Sequence, residues 1–261
     1  FISGLGMGAR GAAVATVIGY IVSDLYCTVV LLKKSRLLSL DPRYFRIPGT
    51  YEKQILGIGI PSAIMNIVQS LSVVLLNQFL LPYGNVEIAA MGIAMKTVSI
   101  VNLVLIGLAY GGQPLYGYFF GAGDRENLKK LTRFNLRVSS GTAIVMSTVV
   151  FAAAEPLIRF FMKDAAIVQS GSLMLRLQVV TMTFAGVTLL LTLIFQSAGK
   201  IGISFVLSLS RQGFLFLLVL VVASRMFGYY GVLASQAAAD VISMVLAGAL
   251  FYRSIYRYWK S

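Results

Sequence analysis

The sequence predicts an all-α polytopic membrane protein with about seven transmembrane helices, on three observations. First, 58% of its 261 residues are hydrophobic and only 12% charged, with a mean hydropathy of +0.84, more apolar surface than a water-soluble domain of this size can hide. Second, apolar stretches of twenty residues or more recur at 11–32, 54–81, 87–118, 134–154, 172–197, 201–223 and 230–252. At about 1.5 Å per helical residue each is long enough for a hydrocarbon core of about 30 Å. Third, runs such as Leu215-Phe216-Leu217-Leu218-Val219-Leu220 are continuous, whereas the strands of a membrane barrel alternate apolar and polar residues.

The charges between these segments set their order across the bilayer. Lys33, Lys34, Arg36, Arg43, Arg46 and Lys53 separate the first and second helices. Arg125, Lys129, Lys130 and Arg133 separate the third and fourth, Lys200 the fifth and sixth, and Arg253, Arg257 and Lys260 follow the seventh. The intervening boundaries carry only Arg10, Arg159, Lys163 and Arg225. Loops rich in Lys and Arg stay in the cytoplasm, so the chain is expected to begin outside and end inside. The same alternation argues against nucleic acid as the partner of the net charge of +13, because the basic residues form no single patch with exposed aromatics.

Several chemistries drop out. With one cysteine, Cys27, and no histidine, the sequence holds no disulfide framework, no Cys/His metal site and no histidine-based catalysis. Gly121-Ala122-Gly123 lacks the Lys-Ser/Thr of a phosphate-binding loop, so no ATPase and no bound cofactor are expected. The start, Phe1-Ile2-Ser3-Gly4-Leu5-Gly6-Met7-Gly8, has neither a basic region nor a cleavage pattern and does not read as a signal peptide; the chain reads as part of something longer.

An internal echo sharpens that expectation. Gly8-Ala9-Arg10-Gly11 opens the first helix, and Gly228-Tyr229-Tyr230-Gly231 opens the last, 220 residues later. Six crossings lie within that period, an even number, so two such units point the same way. The expected parent has two six-helix lobes. Residues 1–33 are then the last helix of an amino-terminal lobe, 34–53 a cytoplasmic linker with Pro42, Pro48 and Gly49, and 54–261 a carboxy-terminal lobe.

Five segments in order resemble the multidrug and toxic compound extrusion (MATE) transporters, in particular their bacterial drug-efflux branch. They are Gly59-Ile60-Pro61-Ser62, Gly111-Gly112-Gln113-Pro114-Leu115-Tyr116-Gly117-Tyr118 with Gly121-Ala122, Phe195-Gln196-Ser197-Ala198-Gly199-Lys200, Ser208-Leu209-Ser210-Arg211-Gln212-Gly213, and Gln236-Ala237-Ala238-Ala239-Asp240. The resemblance implies one six-helix MATE lobe preceded by the last helix of its companion, in a bacterial inner membrane. It implies antiport of cationic or amphipathic small molecules against H+ or Na+, and dependence on the missing amino-terminal lobe.

Polar groups inside a bilayer are costly and tend to line cavities or ion paths. Only Asp24 and Asp240 are acids well inside the apolar segments. Gln236, Asp240 and Ser243 share a helix face at i, i+4 and i+7. Protonation of a membrane-embedded carboxylate responds to neighbouring charges, which suits an antiporter. The alternative is that Asp240 only clamps the sixth helix through Arg211 or Gln212. Asp24, on a stripe with Thr16, Tyr20 and Thr28, meets Met244 in the repeat and reads as structural.

In the second helix Ser62, Asn66, Gln69 and Asn77 suggest a cavity wall near Pro61. The resemblance places a glutamate of sodium-coupled members where Gln69 stands, which weakens direct sodium coordination here. The third helix adds Lys96, Ser99 and Asn102, Lys96 also fitting an interfacial anchor. The fifth adds Thr181, Thr188, Thr192 and Gln196 on one stripe, whose small hydroxyls also fit helix-to-helix glue. The candidate cavity set is therefore Asp240, Gln236, Asn66, Gln69, Asn102, Gln196 and Arg211, with no metal ligands. Ten methionines and many aromatics suit adaptable contact with organic cations. Other readings are a flippase for lipid-linked precursors, which would want a broad basic cavity where Lys96, Arg176 and Arg211 are scattered, a narrow-specificity metabolite exporter, and an intramembrane enzyme, for which no paired catalytic set exists.

Overall fold

The computed structural model describes residues 7–34 and 49–256, and all its regular elements there are helical. The helices are α1 (Gly8–Lys34), α2 (Gly49–Leu80), α3 (Asn85–Ala122), α4 (Arg125–Ala152), α5 (Ala154–Phe161), α6 (Ala165–Val180), α7 (Met182–Ser197), α8 (Ile201–Leu209) and α9 (Leu215–Phe251). The chain divides into two compact units, Phe1–Gly57 and Ile58–Ser261. In the first, α1 exposes its side chains from 13 through 29, Asp24 among them. Helix α2 starts at Gly49, five residues before the apolar run, and the remainder of the expected linker, residues 35–48, lies outside the described residues.

Among the described residues, four helical stretches are long and apolar enough to cross a membrane: Ala13–Lys33, Asn85–Ala122, Arg125–Ala152 and Leu215–Ile255. The pair α6 and α7 qualifies jointly, bent by 43° at Thr181 where a single straight helix over 172–197 was expected. The surface is correspondingly apolar: Leu103, Val145, Phe227 and Val245 are each more than 60% exposed, as side chains facing lipid would be.

The stretch Leu215–Ile255 is 41 residues, twice what one crossing needs. It is a hairpin. Gly228 has φ 55° and ψ −128°, a left-handed backbone conformation that glycine adopts without strain, and the helix breaks there. A Cβ on Gly231 would lie 1.9 Å from the Ala223 carbonyl oxygen. Residues eight apart in a straight helix are separated by about 12 Å, so the backbone has turned back on itself. At the far end Lys200 Nζ donates to the Ser254 carbonyl at 2.7 Å, tying the start of α8 to the turn that follows α9. The two arms correspond to the expected sixth and seventh helices, and the echo Gly228–Gly231 marks the turn.

Elsewhere the connections have ordinary causes. Gly123, with φ 68°, ends α3, and the Asp124 side chain accepts from the Asn127 backbone N–H at 3.0 Å to start α4. Asp164 caps α6 in the same way. Short α5 carries the Glu155–Arg159 ion pair at 2.7 Å on an exposed face. The core of the second unit forms two clusters, one around Met91, Leu105, Met174, Leu175 and Leu220, the other around Tyr116, Leu190, Phe195 and Leu207.

Candidate transport cavity

A cavity of about 170 Å³ opens among α2, α3, α6, α7 and the two arms of the hairpin. Gln69, Ser72 and Leu76 reach it from α2, Met95, Ser99 and Asn102 from α3, Gln178 from α6, and Met182 from α7. Arg211 comes from the turn just before the hairpin, Phe216 from its first arm, and Gln236 and Asp240 from the second. Arg211 and Asp240 are the formal charges among these residues; the rest are amides, hydroxyls, thioethers and apolar groups.

Asp240 sits in the middle of the second arm and is 4% exposed. Arg211 Nε donates to Asp240 Oδ1 at 2.9 Å, and Gln236 Nε2, one turn earlier on the same helix, donates to that oxygen at 3.4 Å. Arg211 lies in a π-helical turn, Ser210–Phe214, inserted between α8 and α9. Gly213 explains how this wide turn fits: a Cβ there would stand 2.7 Å from Val68 Cγ1, so only glycine lets α2 pack this closely.

Of the residues expected from the sequence, five converge here: Asp240, Gln236, Gln69, Asn102 and Arg211. Asn66 and Gln196 do not. Asn66 is exposed in a separate shallow groove with Ile67, Ser70, Leu71 and Val74, because at 100° per residue it is turned well away from Ser72 and Leu76. Gln196 is half-buried near the end of α7, four turns and about 21 Å of helix beyond Met182, too far along to reach the cavity. The threonine stripe satisfies its own helices: Thr181 donates to the Gln178 carbonyl, Thr188 to Phe184 and Thr192 to Thr188. Lys96 is exposed and lies outside the cavity lining.

The sequence reading missed Gln178, buried with Nε2 2.9 Å from Met91 Sδ. It lies one turn before Thr181 on the stripe that was noticed, and extending that stripe backward finds it. It also passed over Glu87, in the first turn of α3, which accepts hydrogen bonds from the Tyr229 hydroxyl and from Ser170 Oγ, the latter at 2.8 Å. Glu87 lies at the edge of its apolar segment, where hydropathy alone draws no attention.

Residues 61–222 match the family model described as MatE. Over 251 residues the chain is 29% identical to the multidrug export protein MepA of Staphylococcus saprophyticus, a match covering 96% of this chain and 55% of that protein. It is 27% identical over the same length to MepA of Staphylococcus aureus, with the same coverage. The chain thus spans about half the length of these curated relatives. Among solved structures, the MATE transporter VcmN of Vibrio cholerae in its bent form superposes with a TM-score of 0.78 at 19% identity, covering 99% of this chain and 58% of that one. A MOP superfamily transporter from Pyrococcus furiosus gives 0.82 at 20% identity, covering 100% and 59%. At these identities the likeness is one of fold.

Proposed function

The chain belongs to the MatE family and is a polytopic all-α membrane protein, and on that premise we propose that it is the carboxy-terminal part of a secondary antiporter exporting cationic or amphipathic drugs against H+ or Na+. The observation that carries this reading is the buried carboxylate of Asp240, facing a cavity whose other polar groups, apart from its partner Arg211, are neutral. A monovalent organic cation entering such a site gains its electrostatic partner in a medium of low dielectric, where the attraction exceeds that in water. Met95, Met182 and Phe216 offer polarisable and aromatic contact without fixing one shape. The name of the MepA relatives, multidrug export protein, supports the substrate class.

The cavity volume of about 170 Å³ is below the ~300–1,000 Å³ usual for ligand pockets. A volume this small fits the reading that this wall is one side of a site that a preceding lobe completes, with export requiring both. Alternating access is a rocking of the lobes about residues 34–53, in a bacterial inner membrane with the chain start outside and the carboxy terminus in the cytoplasm. One charge moving through 100 mV supplies about 2.3 kcal/mol, enough for a gradient of tens of fold. Gln69, an amide where the resemblance would put a sodium-binding glutamate, leaves Asp240 as the carboxylate of this wall.

The test is accumulation of a fluorescent lipophilic cation in pump-deficient cells expressing the full-length transporter, its Asp240→Asn form or empty vector, with and without a protonophore. Export by the parent that is energy-dependent and lost in the Asn form supports the reading. Equal dye in parent and vector cells, at matched expression, overturns it.

A further inference from the structure

We infer that Arg211 is a built-in counter-cation: it occupies Asp240 while the cavity is empty and is displaced when a cationic substrate takes its place. The inference rests on the transport reading above and adds a residue that sets affinity. The pair is the cavity's whole formal charge, and both partners stand on its wall. A buried carboxylate facing an empty apolar cavity would be uncompensated, so the site needs a resident cation between transport events. Arg211 supplies it through Nε at 2.9 Å. The hydrogen bonds from Arg211 and Gln236 both land on Oδ1, so an incoming cation would approach Asp240 from its Oδ2 side before the guanidinium leaves.

The backbone beneath Arg211 suits such an exchange. It lies in the π-helical turn Ser210–Phe214, between α-helical segments on either side. A π-turn holds one residue more than an α-turn, and such turns concentrate at functional positions. Moving the extra residue along the helix turns Arg211 by about 100° without unwinding the arm. The side chain thus has a second position, away from Asp240. Gly213, closed against Val68 of α2, leaves no room for the turn to swing as a whole, so a change of register moves Arg211 while the helix stays docked. Gln236 remains on Asp240 throughout, because donor and acceptor share one helix.

The experiment measures ethidium affinity by fluorescence anisotropy on the purified full-length transporter in lipid nanodiscs. It uses wild type, Arg211→Gln, Arg211→Lys, Asp240→Asn and the Arg211→Gln/Asp240→Asn double variant. A competing cation weakens apparent affinity, so Arg211→Gln is expected to bind ethidium about tenfold more tightly and Arg211→Lys to stay near wild type. Asp240→Asn is expected to bind more weakly, and the double variant to match Asp240→Asn, because without the carboxylate there is nothing to compete for. Should Arg211→Gln not fold, Arg211→Met tests the same expectation with an apolar side chain of similar length.

Weaker binding by the Arg211 variants assigns the pair to structure alone and overturns the inference. Tightening of equal size in the Asp240→Asn background overturns it as well, because Arg211 would then act as a general repulsive charge. If wild type exports ethidium from cells while Arg211→Gln binds no more tightly, the counter-cation is rejected and the transport reading stands. If wild type neither exports nor binds ethidium, both fall.

Discussion

Asp240 and Glu87 are two carboxylates of the same lobe held by opposite means. Asp240 lies in mid-helix, where no free backbone N–H groups or helix-end charge can serve it, and a guanidinium and an amide satisfy it. Glu87 lies in the first turn of α3, where the positive end of the helix favours an anion, and its hydrogen bonds come from two neutral hydroxyls, Tyr229 and Ser170. The Glu87 cluster is packed with rings: Tyr83 and Tyr229 are 5.2 Å apart and Tyr229 and Tyr230 5.5 Å. It joins α3, α6 and the hairpin turn as a fixed clasp. On the proposed reading, a carboxylate paired with a displaceable cation suits exchange, and one held by hydroxyls at a helix end suits position.

The largest blow to this comparison falls on both sites at once. Gly231→Ala forces a Cβ onto the Ala223 backbone at the turn between the arm that follows Arg211 and the arm carrying Tyr229 and Asp240. It should cost about 3 kcal/mol and leave little folded protein, read as the monodisperse fraction in detergent. Next, Asp240→Asn should cut energy-dependent dye export at least about tenfold while Glu87→Gln keeps most of it; similar losses in both would erase the proposed division of roles. Tyr229→Phe should lower stability by about 1 kcal/mol, a single partly solvated hydrogen bond, with export at saturating dye unchanged. A loss of export without a loss of stability would move Glu87 into the transport machinery.

The smallest effect lies at the α3–α4 turn. The Asn127 backbone N–H, then its side-chain amide, hold the Asp124 carboxyl below its ordinary value of 3.8. A carboxyl depressed in the folded protein stabilises it above the unfolded value, and that contribution is lost as pH falls through the folded one. Asp124→Ala should therefore lower the melting temperature slightly at neutral pH. The gap to wild type should close below about pH 4. A gap independent of pH would show that the hydrogen bond to α4, and not the charge, is what matters.

Much of the candidate cavity's lining was legible beforehand. Asp240, Gln236 and Arg211 stand out because charge and amide inside apolar runs are rare, and spacing alone put Gln236 one turn from Asp240. Gln69 and Asn102 followed from the same scarcity. Asn66 and Gln196 looked equivalent to them, and nothing local distinguishes a polar residue turned toward a cavity from one turned aside. Gln196 shares a face with Gln178 at about 100° per residue but stands about five turns further along the chain, and spacing alone could not show that on this helix the cavity lining ends at Met182 and Ala185.

The sequence by itself determined the solvent, the helical class, the places where charge interrupts apolar runs and, through its ordered motifs, the family. These are sums along the chain against lipid, and hydropathy records them without reference to any neighbour. Only the tertiary structure decided that the long stretch after Leu215 folds back at Gly228, that Arg211 sits in a wide turn against α2, and that its cation rests on Asp240. Those outcomes depend on which way each helix is rotated and how closely backbones approach. A turn of 100° per residue and a few tenths of an ångström at a glycine are set by the packing of all the helices together.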